Sequence, residues 1–467
     1  MTKIAIYVIL ALVVGSCNTP DKHQGKSAEL WLTSMDESVL LEKIVDSQES
    51  HPSVDGTTVI TIDTSTTYQT MDGFGYTLTG GSALHIQKMG KKARASLLQE
   101  LFGNGQNEIG VSYLRVSLGA SDLDEKLWSY NDLEQGEEDL KLKQFSLSYD
   151  TLYLVPVLKE ILKINPNIKI MGSPWSPPVW MKTNGDTRGG SLKEEYHQVY
   201  ADYFVKYIKA MALEGITIDA ITVQNEPLHP GNNPSLLMKA DQQAVFIKKY
   251  LGPTFERNDI QTKIIIYDHN ADRIDYPISI LDDPEAAQYI DGSAFHLYGG
   301  EIDALSKVHQ AHPDKNLYFT EQWVGAPGDF EKEMEWHTEH LIIGATRNWC
   351  KTVLEWNLAS DENQDPHTDR GGCDRCLGAI TITGDEIIRN PAYYIVAQAS
   401  KFVPAGSQRI ASSYNDSIPS VSFSRKDGKI VTIMLNKTTK PQQLELELGE
   451  KSISITLKER SVGTLIH

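Results

Sequence analysis

The fold of this chain is decided by residues 218–227, which read I-D-A-I-T-V-Q-N-E-P. A mostly apolar, β-branched run leads directly into Gln224, Asn225, Glu226 and Pro227. This pattern is typical of a buried strand whose end carries polar side chains into a cleft. Glu226 is therefore the first candidate for a catalytic residue.

A second stretch, residues 317–323, reads L-Y-F-T-E-Q-W and has the same form, because an apolar run stops at Glu321 beside Trp323. Two carboxyl groups at strand ends can cleave a glycosidic bond. One protonates the leaving oxygen, and the other attacks or stabilises the anomeric carbon. Glu226 and Glu321 together are the main catalytic candidates.

Strand-like runs alternate with helix-like runs from residue 57 to about residue 402, and this alternation decides the fold class. The candidate strands are residues 71–76, 112–118, 168–173, 220–225, 263–267, 293–298, 317–320 and 353–357. Helical periodicity lies between them, for example at residues 91–101, 151–164, 194–213, 240–251 and 330–348. Eight such strands predict an α/β fold, a (β/α)8 TIM barrel with its active site at the C-terminal strand ends.

The downstream ends of these runs gather polar and aromatic side chains, which supports the barrel. They are Arg115, Trp175, Asn225, Glu226, Asp268, His269, His296, Tyr298, Glu321, Trp323, Trp356 and Asn357. The competing architecture is a doubly wound open sheet. No G-x-G-x-x-G or P-loop pattern follows an early strand, and the strand count fits closure better.

The pattern changes after residue 402 to runs with a period of two, at residues 420–424, 430–435, 444–448 and 453–457. Residues 426–429, K-D-G-K, join the first pair with a hairpin signal. We expect an appended small antiparallel β-sandwich domain. The strand-like residues 57–62 are expected to pair with this C-terminal sheet.

The N-terminus predicts export. Lys3 precedes an apolar run over residues 4–14, which has the length of a signal-peptide core and is short for a membrane span. The run leads to V-G-S-C, ending at Cys17. This resembles a bacterial lipoprotein signal, in which the cysteine is lipidated; an ordinary cleaved signal peptide is the alternative. We expect a lipid-anchored protein of the bacterial cell envelope, in the periplasm or at the outer-membrane surface.

These patterns divide the chain into five parts. The predicted parts are a lipoprotein signal peptide (residues 1–17), a tether and lead-in (18–56), a strand of the β-domain (57–66), the catalytic barrel (67–403) and the C-terminal β-sandwich (404–467).

Composition limits the partners. The 467 residues carry a formal net charge of -18, with 40% hydrophobic and 23% charged residues, which is ordinary for a soluble protein. Because phosphate backbones are bound through clustered Lys and Arg, this charge argues against nucleic acid. We expect a monomer that contacts a membrane only through its lipid anchor.

Eight short motifs occur in a characteristic order. They are residues 71–75 (M-D-G-F-G), 114–116 (L-R-V), 173–185 (S-P-W-S-P-P-V-W-M-K-T-N-G), 224–227 (Q-N-E-P), 283–287 (D-P-E-A-A), 295–298 (F-H-L-Y), 319–321 (F-T-E) and 355–358 (E-W-N-L). Single motifs are weak signals, but their order and spacing together are specific. From about residue 71 to residue 410 the chain resembles glycoside hydrolase family 30, the family of glucosylceramidases and related β-glycanases.

The resemblance implies a retaining β-glycosidase in which Glu226 is the general acid/base and Glu321 the nucleophile. Retaining enzymes hold the two carboxyls ~5 Å apart, so that one forms a glycosyl ester while the other acts as acid and then as base. We expect Glu321 and partial desolvation to raise the pKa of Glu226. Asn225 is expected to hydrogen-bond the sugar 2-hydroxyl. The implied partner is an oligo- or polysaccharide or a glycolipid, with no cofactor.

Other strand-end residues are candidates for contact with the substrate. They are Arg115, Trp175, Asn225, His296, Tyr298, Trp323, Trp356 and Asn357. Arg115 is expected to hold the Glu321 carboxylate, with a purely structural ion pair as the alternative. The three tryptophans are expected to stack on sugar rings rather than to fill the core. The resemblance makes Tyr298 a hydrogen-bond partner of Glu321 and His296 a subsite residue.

The cysteines allow two interpretations. Cys373 and Cys376 form a C-x-x-C motif, and with Cys350 and His367 nearby a zinc site can be drawn. In an exported protein we expect instead a disulfide between Cys373 and Cys376 that staples the loop after the eighth strand. Cys350 is expected to be a buried free thiol. No metal site is expected.

Two departures from the glucosylceramidase pattern bear on the substrate. Gly80 stands where those enzymes are expected to carry a sugar-gripping aspartate, and the loop over residues 360–376 differs from theirs. In both places the β-1,6-glucanases are the most similar relatives. Both departures argue against ceramide-linked glucose and suit another β-glucoside. The expected substrate is β-1,6-glucan or a glucosylceramide-type molecule, with another polysaccharide such as xylan as an alternative.

A hypothesis of another class is a surface lipoprotein that binds carbohydrate without cleaving it. The presence of both Glu226 and Glu321 argues against it, because a binding module has no use for a paired acid and nucleophile. A metal-dependent hydrolase is less favoured, since Asp268 and His269 are the one visible strand-end cluster of that kind.

Overall fold

The computed structural model describes residues 28–47 and 57–467, which form a closed barrel and an antiparallel sandwich. The strands, in chain order, are Ala28–Ser34 (β1), Glu42–Ser47 (β2), Thr58–Thr70 (β3), Gly73–Leu78 (β4), Tyr113–Ser117 (β5), Lys169–Ser173 (β6), Ala220–Thr222 (β7), Lys263–Asn270 (β8), Ile290–His296 (β9), Asn316–Glu321 (β10), Val324–Gly325 (β11), Cys350–Asn357 (β12), Ala359–Ser360 (β13), Cys376–Leu377 (β14), Ile380–Thr383 (β15), Glu386–Arg389 (β16), Gln408–Ser412 (β17), Ser420–Ser424 (β18), Ile430–Asn436 (β19), Gln442–Leu448 (β20), Lys451–Leu457 (β21) and Ser461–Ile466 (β22).

The α-helices lie mainly between the barrel strands. They are Gly80–Lys88 (α1), Lys91–Phe102 (α2), Leu154–Ile164 (α3), His197–Leu213 (α4), Ala240–Phe246 (α5), Gly252–Arg257 (α6), Asp275–Leu281 (α7), Pro284–Ala287 (α8), Ala304–Ala311 (α9), Phe330–His337 (α10) and Pro391–Ser400 (α11). Among the described residues, no helix is long and apolar enough to cross a bilayer.

The barrel closes in the order β4-β5-β6-β7-β8-β9-β10-β12, and β12 pairs in parallel with β4. All eight predicted strands are present, and the predicted (β/α)8 barrel is confirmed. Inward-facing residues from seven of the strands fill its interior with a separate apolar cluster: Tyr113, Met171, Ala220, Ile265, Ala294, Tyr318 and Leu354. The interior is therefore a packed core, and a ligand must bind at a strand-end face.

Two predicted helices differ from the structure in their internal geometry. The one expected over residues 240–251 becomes a π-helix at Ile247–Leu251, and the one expected over residues 330–348 does so at Thr338–Ala345. A π-helix widens the turn but leaves the hydrophobic pattern almost unchanged, so periodicity alone does not reveal it.

The sandwich contains more of the chain than its C-terminal part. Its sheet runs β2-β1-β22-β19-β18-β17-β3-β20-β21, and β3, which covers the strand expected at residues 57–66, pairs with β17 and β20. Residues 28–47, which fall within the expected tether and lead-in (18–56), contain β1 and β2 and belong to the sandwich. Leu30 and Leu32 of β1 are buried in the sandwich core. The tether prediction missed them because β1 gains its partner, β22, from more than 400 residues away in sequence.

The signal peptide expected over residues 1–17, with Cys17, lies outside the described residues, as do residues 18–27 and 48–56.

Candidate active site

A cavity of about 440 Å³ opens at the C-terminal ends of the barrel strands. It is lined by Asp122, Trp175, Glu226, His229, Asn232, His269, Asn270, Tyr298, Glu321, Trp323, Trp356, Cys373 and Cys376. The chain segments that supply them are far apart in sequence and meet because parallel barrel strands end on one face. Both catalytic candidates open into this cavity.

Glu226 follows β7 in an uncommon backbone conformation, with φ at 42°. Its N–H donates to the carbonyl of Asp268 (3.0 Å), which holds the turn in place. Its Oε1 faces Nδ1 of His296 at 3.2 Å, and its Oε2 accepts from Nδ2 of Asn232 at 3.2 Å. The carboxyl of Glu226 is therefore held from two sides.

Glu321 is the last residue of β10. Its Oε2 accepts from Nη1 of Arg115 (2.5 Å), and its Oε1 accepts from the hydroxyl of Tyr298 (3.0 Å). The structure therefore shows both contacts that were expected for this carboxyl. One ligand atom each of Glu226, Glu321 and His296 lies within 4.8 Å of the others, a spacing that suits direct attack on the anomeric carbon.

Asp268 forms the buried base of the site, and sequence reasoning gave it no role in the glycosidase. A bulge in β8, with φ at 67° for Asp268, turns its side chain inward. Its Oδ2 accepts from Arg115 (2.8 Å) and Thr222 (2.7 Å), and its Oδ1 accepts from Thr320 (2.6 Å). Burial opposes ionisation, but the charge of Arg115 and the contact with His296 hold the pKa of Asp268 well below its usual range.

His296 lies between the base and the two glutamates and is fully buried. Its Nε2 lies 3.1 Å from Oδ1 of Asp268. Burial lowers the pKa of His296, but the charge of Glu321 and the bonds to Asp268 and Glu226 outweigh burial and raise this pKa to about 9. The expected subsite contact with sugar is contradicted, because the ring lies beneath the carboxyls and is buried away from the cavity.

The pKa of Glu226 departs from the expectation. Burial raises it, but the hydrogen bond and positive charge of His296 outweigh burial, so the pKa of Glu226 lies below its usual value. Burial also raises the pKa of Glu321, against the charges of His296 and Arg115. The predicted rise in the pKa of Glu226 is therefore wrong in the free site. The sequence does not show that His296 lies against this carboxyl.

The remaining substrate-binding candidates occupy different layers. Trp175, Tyr298, Trp323 and Trp356 line the cavity, and the rings of Trp175 and Trp356 stack with centroids 5.5 Å apart. Asn225 lies behind them, where its Oδ1 accepts from Nη2 of Arg115 (2.6 Å). Its contact with a sugar hydroxyl stays a prediction.

Asn357 does not line the cavity and contradicts its predicted role. Its Oδ1 accepts from the hydroxyls of Ser82 (2.8 Å) and Thr79 (3.2 Å), and the residue is buried. These bonds tie β12 to the start of α1. A strand-end position is therefore not enough to place a side chain in the cavity.

Asp122 is a cavity residue that sequence reasoning missed. Burial, together with the charge of Glu321, raises the pKa of Asp122 to about 8. Gly80 does not line the cavity, and a Cβ at this position would lie 1.8 Å from Oδ1 of Asp124. The interpretation of Gly80 as a lost sugar contact stays a prediction, and the loop after β5 supplies an additional carboxyl to the cavity.

The Glu226 side of the cavity carries four more polar residues that sequence reasoning left out of the binding set: His229, Asn232, His269 and Asn270. All four follow β7 or lie in β8, within six residues of Glu226 or Asp268. That proximity to the two strand ends was the available signal.

The loop before β14 closes another wall of the cavity. Cys373 and Cys376 form a disulfide, and Cys350 is a buried free cysteine. Thr368 anchors the loop, because its N–H donates to the carbonyl of Asp122 (2.9 Å). The zinc site drawn from the same cysteines is contradicted, since both motif thiols are consumed by the disulfide.

A cation could be considered at Glu226, His296 and Glu321, where three ligand atoms converge. The Nε2–H of His296 is directed to Asp268, and its Nδ1 faces Glu226. Both ring nitrogens are therefore already engaged by carboxyl groups. The arrangement is suited to holding a proton.

The barrel and its two facing strand-end carboxyls define a glycoside hydrolase. The chain belongs to glycosyl hydrolase family 30. Residues 71–403 match the TIM-barrel domain of that family, and residues 406–465 match its β-sandwich domain.

Several known proteins are similar to this chain over most of its length. The endo-1,6-β-D-glucanase neg1 of Aspergillus fumigatus is 32% identical over 430 residues, which cover 86% of this chain and 85% of that protein. The lysosomal acid glucosylceramidase of Mus musculus is 30% identical over 437 residues, with 88% and 82% covered. The solved structure of the endo-β1,6-glucanase BT3312 has a TM-score of 0.88 and 34% identity, and the match covers 94% of this chain and 99% of that chain.

Proposed function

We propose that this family 30 enzyme hydrolyses β-1,6-linked glucan with retention of anomeric configuration. The observation that carries the proposal is the cavity in which Glu226 and Glu321 face each other within 4.8 Å. The named relatives with endo-1,6-β-glucanase activity support the linkage.

The two glutamates divide the chemistry. The carboxylate of Glu321 attacks the anomeric carbon while protonated Glu226 gives its proton to the leaving oxygen, and a glycosyl ester forms. Glu226 then takes a proton from water, which attacks the same carbon and releases Glu321. Arg115 and Tyr298 hold the Glu321 carboxyl in place for both attacks.

Glucosylceramide is the second candidate, because glucosylceramidases are also among the similar proteins. Among the described residues that line the cavity, none has an aliphatic side chain. The side near Glu226 carries His229, Asn232, His269 and Asn270. A hydrophilic leaving sugar can hydrogen-bond to these side chains, whereas a ceramide tail would remove polar groups from water without compensation. This favours glucan.

The test is hydrolysis of pustulan, laminarin, xylan and glucosylceramide by the purified protein. We expect products from pustulan, released first as the β-anomer in proton NMR spectra. Glu321→Gln should lower kcat on the order of a thousandfold or more, because an amide cannot form the ester. Glu386→Gln, a change at an exposed glutamate of β16, is the matched control and should leave kcat unchanged.

Two results would reject parts of the proposal. Products from glucosylceramide alone would replace glucan with the glycolipid. Sugar binding without hydrolysis of any of the four, unaffected by Glu321→Gln, would favour the carbohydrate-binding lipoprotein.

We further infer that the enzyme is a monomer anchored by a lipid on Cys17 to the bacterial envelope. The support for the anchor is the apolar run before V-G-S-C. Cys17→Ala should release the protein from the membrane fraction of a bacterial host. Retention of the variant in that fraction would contradict the anchor.

A further inference from the structure

Three buried side chains form a continuous chain beneath the cavity. Oδ1 of Asp268 lies 3.1 Å from Nε2 of His296, and Nδ1 of the same ring lies 3.2 Å from Oε1 of Glu226. Asp268 and His296 are fully buried, so neither exchanges its partner for water. The acid/base carboxyl is thus connected to a second ionisable group.

Asp268 determines which nitrogen of the His296 ring always carries a proton. Its two oxygens already accept from Arg115, Thr222 and Thr320, all of which are donors here. A carboxylate held by these donors and a guanidinium stays ionised and can only accept. Nε2 of His296 must therefore carry a proton in every protonation state, and only Nδ1 is free to gain or lose one.

The charges around the ring favour a proton on Nδ1. The titratable and charged groups that face it are Asp268, Glu226, Glu321, His269, Tyr298 and, through Asp268, Arg115. His269 stays neutral, because burial lowers its pKa to about 4. Three carboxyls therefore surround one imidazole ring. A proton on Nδ1 lowers the pKa of Glu226, and it also lies next to Oε1 of Glu226, the carboxyl that needs a proton to act as an acid.

We propose that His296 stores the catalytic proton of Glu226 on Nδ1 and delivers it when substrate fills the cavity. The proposal deepens the proposed function and rests on Glu226 being the acid/base. His296 is a positioning residue, since it contacts Glu226 and does not line the cavity.

The proton balance closes over one turnover. In the free site the pair is imidazolium and carboxylate. When substrate expels water, the Nδ1 proton moves to Oε1 of Glu226, leaving a neutral acid and a neutral imidazole that still donates from Nε2 to Asp268. Glu226 gives this proton to the leaving oxygen, recovers one from the attacking water, and returns it to Nδ1 as product leaves.

The first test is the pH profile of kcat/KM on pustulan. An asparagine at position 296 can place an amide near Nδ1 and donate to Glu226, but it cannot store a proton. We expect His296→Asn to move the alkaline limb down by about one pH unit or more, because the proton is then held by Glu226 alone. His312→Asn is the matched control, because this histidine ends α9 and does not line the cavity, and its alkaline limb should match that of the wild type. An unchanged alkaline limb in His296→Asn overturns the proposal.

The second test does not depend on activity, so it separates this proposal from the proposed function. In protein labelled with ¹⁵N-histidine, the signals absent from His296→Asn identify the ring. We expect both ring nitrogens to be protonated at pH 7 in the wild type, and Glu226→Gln to lower the pH at which Nδ1 loses its proton by about one unit or more. A neutral ring at pH 7 in the wild type overturns the proposal even if pustulan is hydrolysed.

Discussion

Glu226 and Asp268 share a left-handed backbone conformation, with φ of 42° and 67°. For residues other than glycine this costs on the order of 1–2 kcal/mol each. The N–H of Glu226 donates to the carbonyl of Asp268, so each turn supports the other. The strained turns direct two carboxyls into the site from neighbouring strands, β7 and β8.

Trp323 offers a test of sugar stacking at a single residue. Its ring lines the cavity and remains partly accessible, unlike the buried ring of Trp175. We expect Trp323→Ala to raise KM for pustulan on the order of tenfold, with a smaller change in kcat, because stacking on a pyranose binds ground state and transition state alike. Steady-state kinetics measure both constants.

A matched control is Tyr414→Ala, which removes an exposed aromatic ring that does not line the cavity. Its KM should equal that of the wild type. If Trp323→Ala lowers kcat by much more than it raises KM, the ring acts on the reacting bond and the stacking role is wrong.

At the scale of elements, α10 is joined to β12 by a buried ion pair. Nδ1 of His337 lies 2.7 Å from Oε1 of Glu355, and its Nε2 lies 3.1 Å from Glu333 on the same helix. Burial lowers the pKa of His337, but the charge of Glu355 and the bonds to both glutamates raise it to about 9. Burial also raises the pKa of Glu355. The pair lies one residue before Trp356 and supports that part of the cavity wall.

This ion pair predicts a fall in stability at high pH. Because the pKa of His337 is higher in the folded state than its ordinary value of 6.5, its contribution is complete below pH 6.5 and is lost as pH rises through 9. The loss is on the order of 3 kcal/mol. Thermal unfolding at pH 6 and pH 9 measures it. The double variant His337→Gln with Glu355→Gln should show a clearly smaller loss over this pH range, while His296, whose pKa is also raised to about 9, keeps its own contribution.

The single variant His337→Gln should be less stable than the double variant, because it leaves Glu355 buried without a cation. His340→Gln is the control. The pKa of His340 is lowered by burial, so its change should leave the loss between pH 6 and pH 9 in place. Equal pH dependence in the wild type and the double variant would contradict the role of the pair.

At the scale of the whole molecule, the two domains are joined by the first described strands. β1 lies between β2 and β22, and Thr33 accepts from Nε2 of Gln398 in α11 (2.8 Å). Trp31 of the same strand contacts Phe402, with ring centroids 5.4 Å apart. Strands β1 and β2 are therefore part of the sandwich sheet, and β1 also contacts the end of the barrel domain.

This arrangement predicts that removing β1 and β2 destabilises the protein relative to a chain of residues 28–467. A chain of residues 48–467 should unfold several degrees lower or fail to fold, because burial of Leu30 and Leu32 alone contributes about 1.5–3 kcal/mol each.

Since the shorter chain could fail to fold, Leu30→Ala with Leu32→Ala in residues 28–467 provides a milder version of the same loss. Calorimetry should show a lower unfolding temperature for this variant. If all these chains unfold at one temperature, β1 contributes nothing to the sandwich.

Much of the fold and the two strand-end glutamates followed from local patterns. Short runs of consecutive residues predict the eight barrel strands and the C-terminal strands. The same runs predict the positions of Glu226 and Glu321, which are polar residues that follow an apolar run. Local propensity and periodicity act over the same short range, so the sequence is enough to predict them.

Other features were decided only by the tertiary structure. Asp122 lines the cavity, and Asn357 instead accepts a hydrogen bond from Ser82. Strand β1 pairs with β22, which lies at the other end of the chain. The sequence by itself determined which carboxyls stand at strand ends. Only the folded structure decided that the pKa of His296 is raised beside them, because a pKa depends on burial and on charges that come together from separate strands.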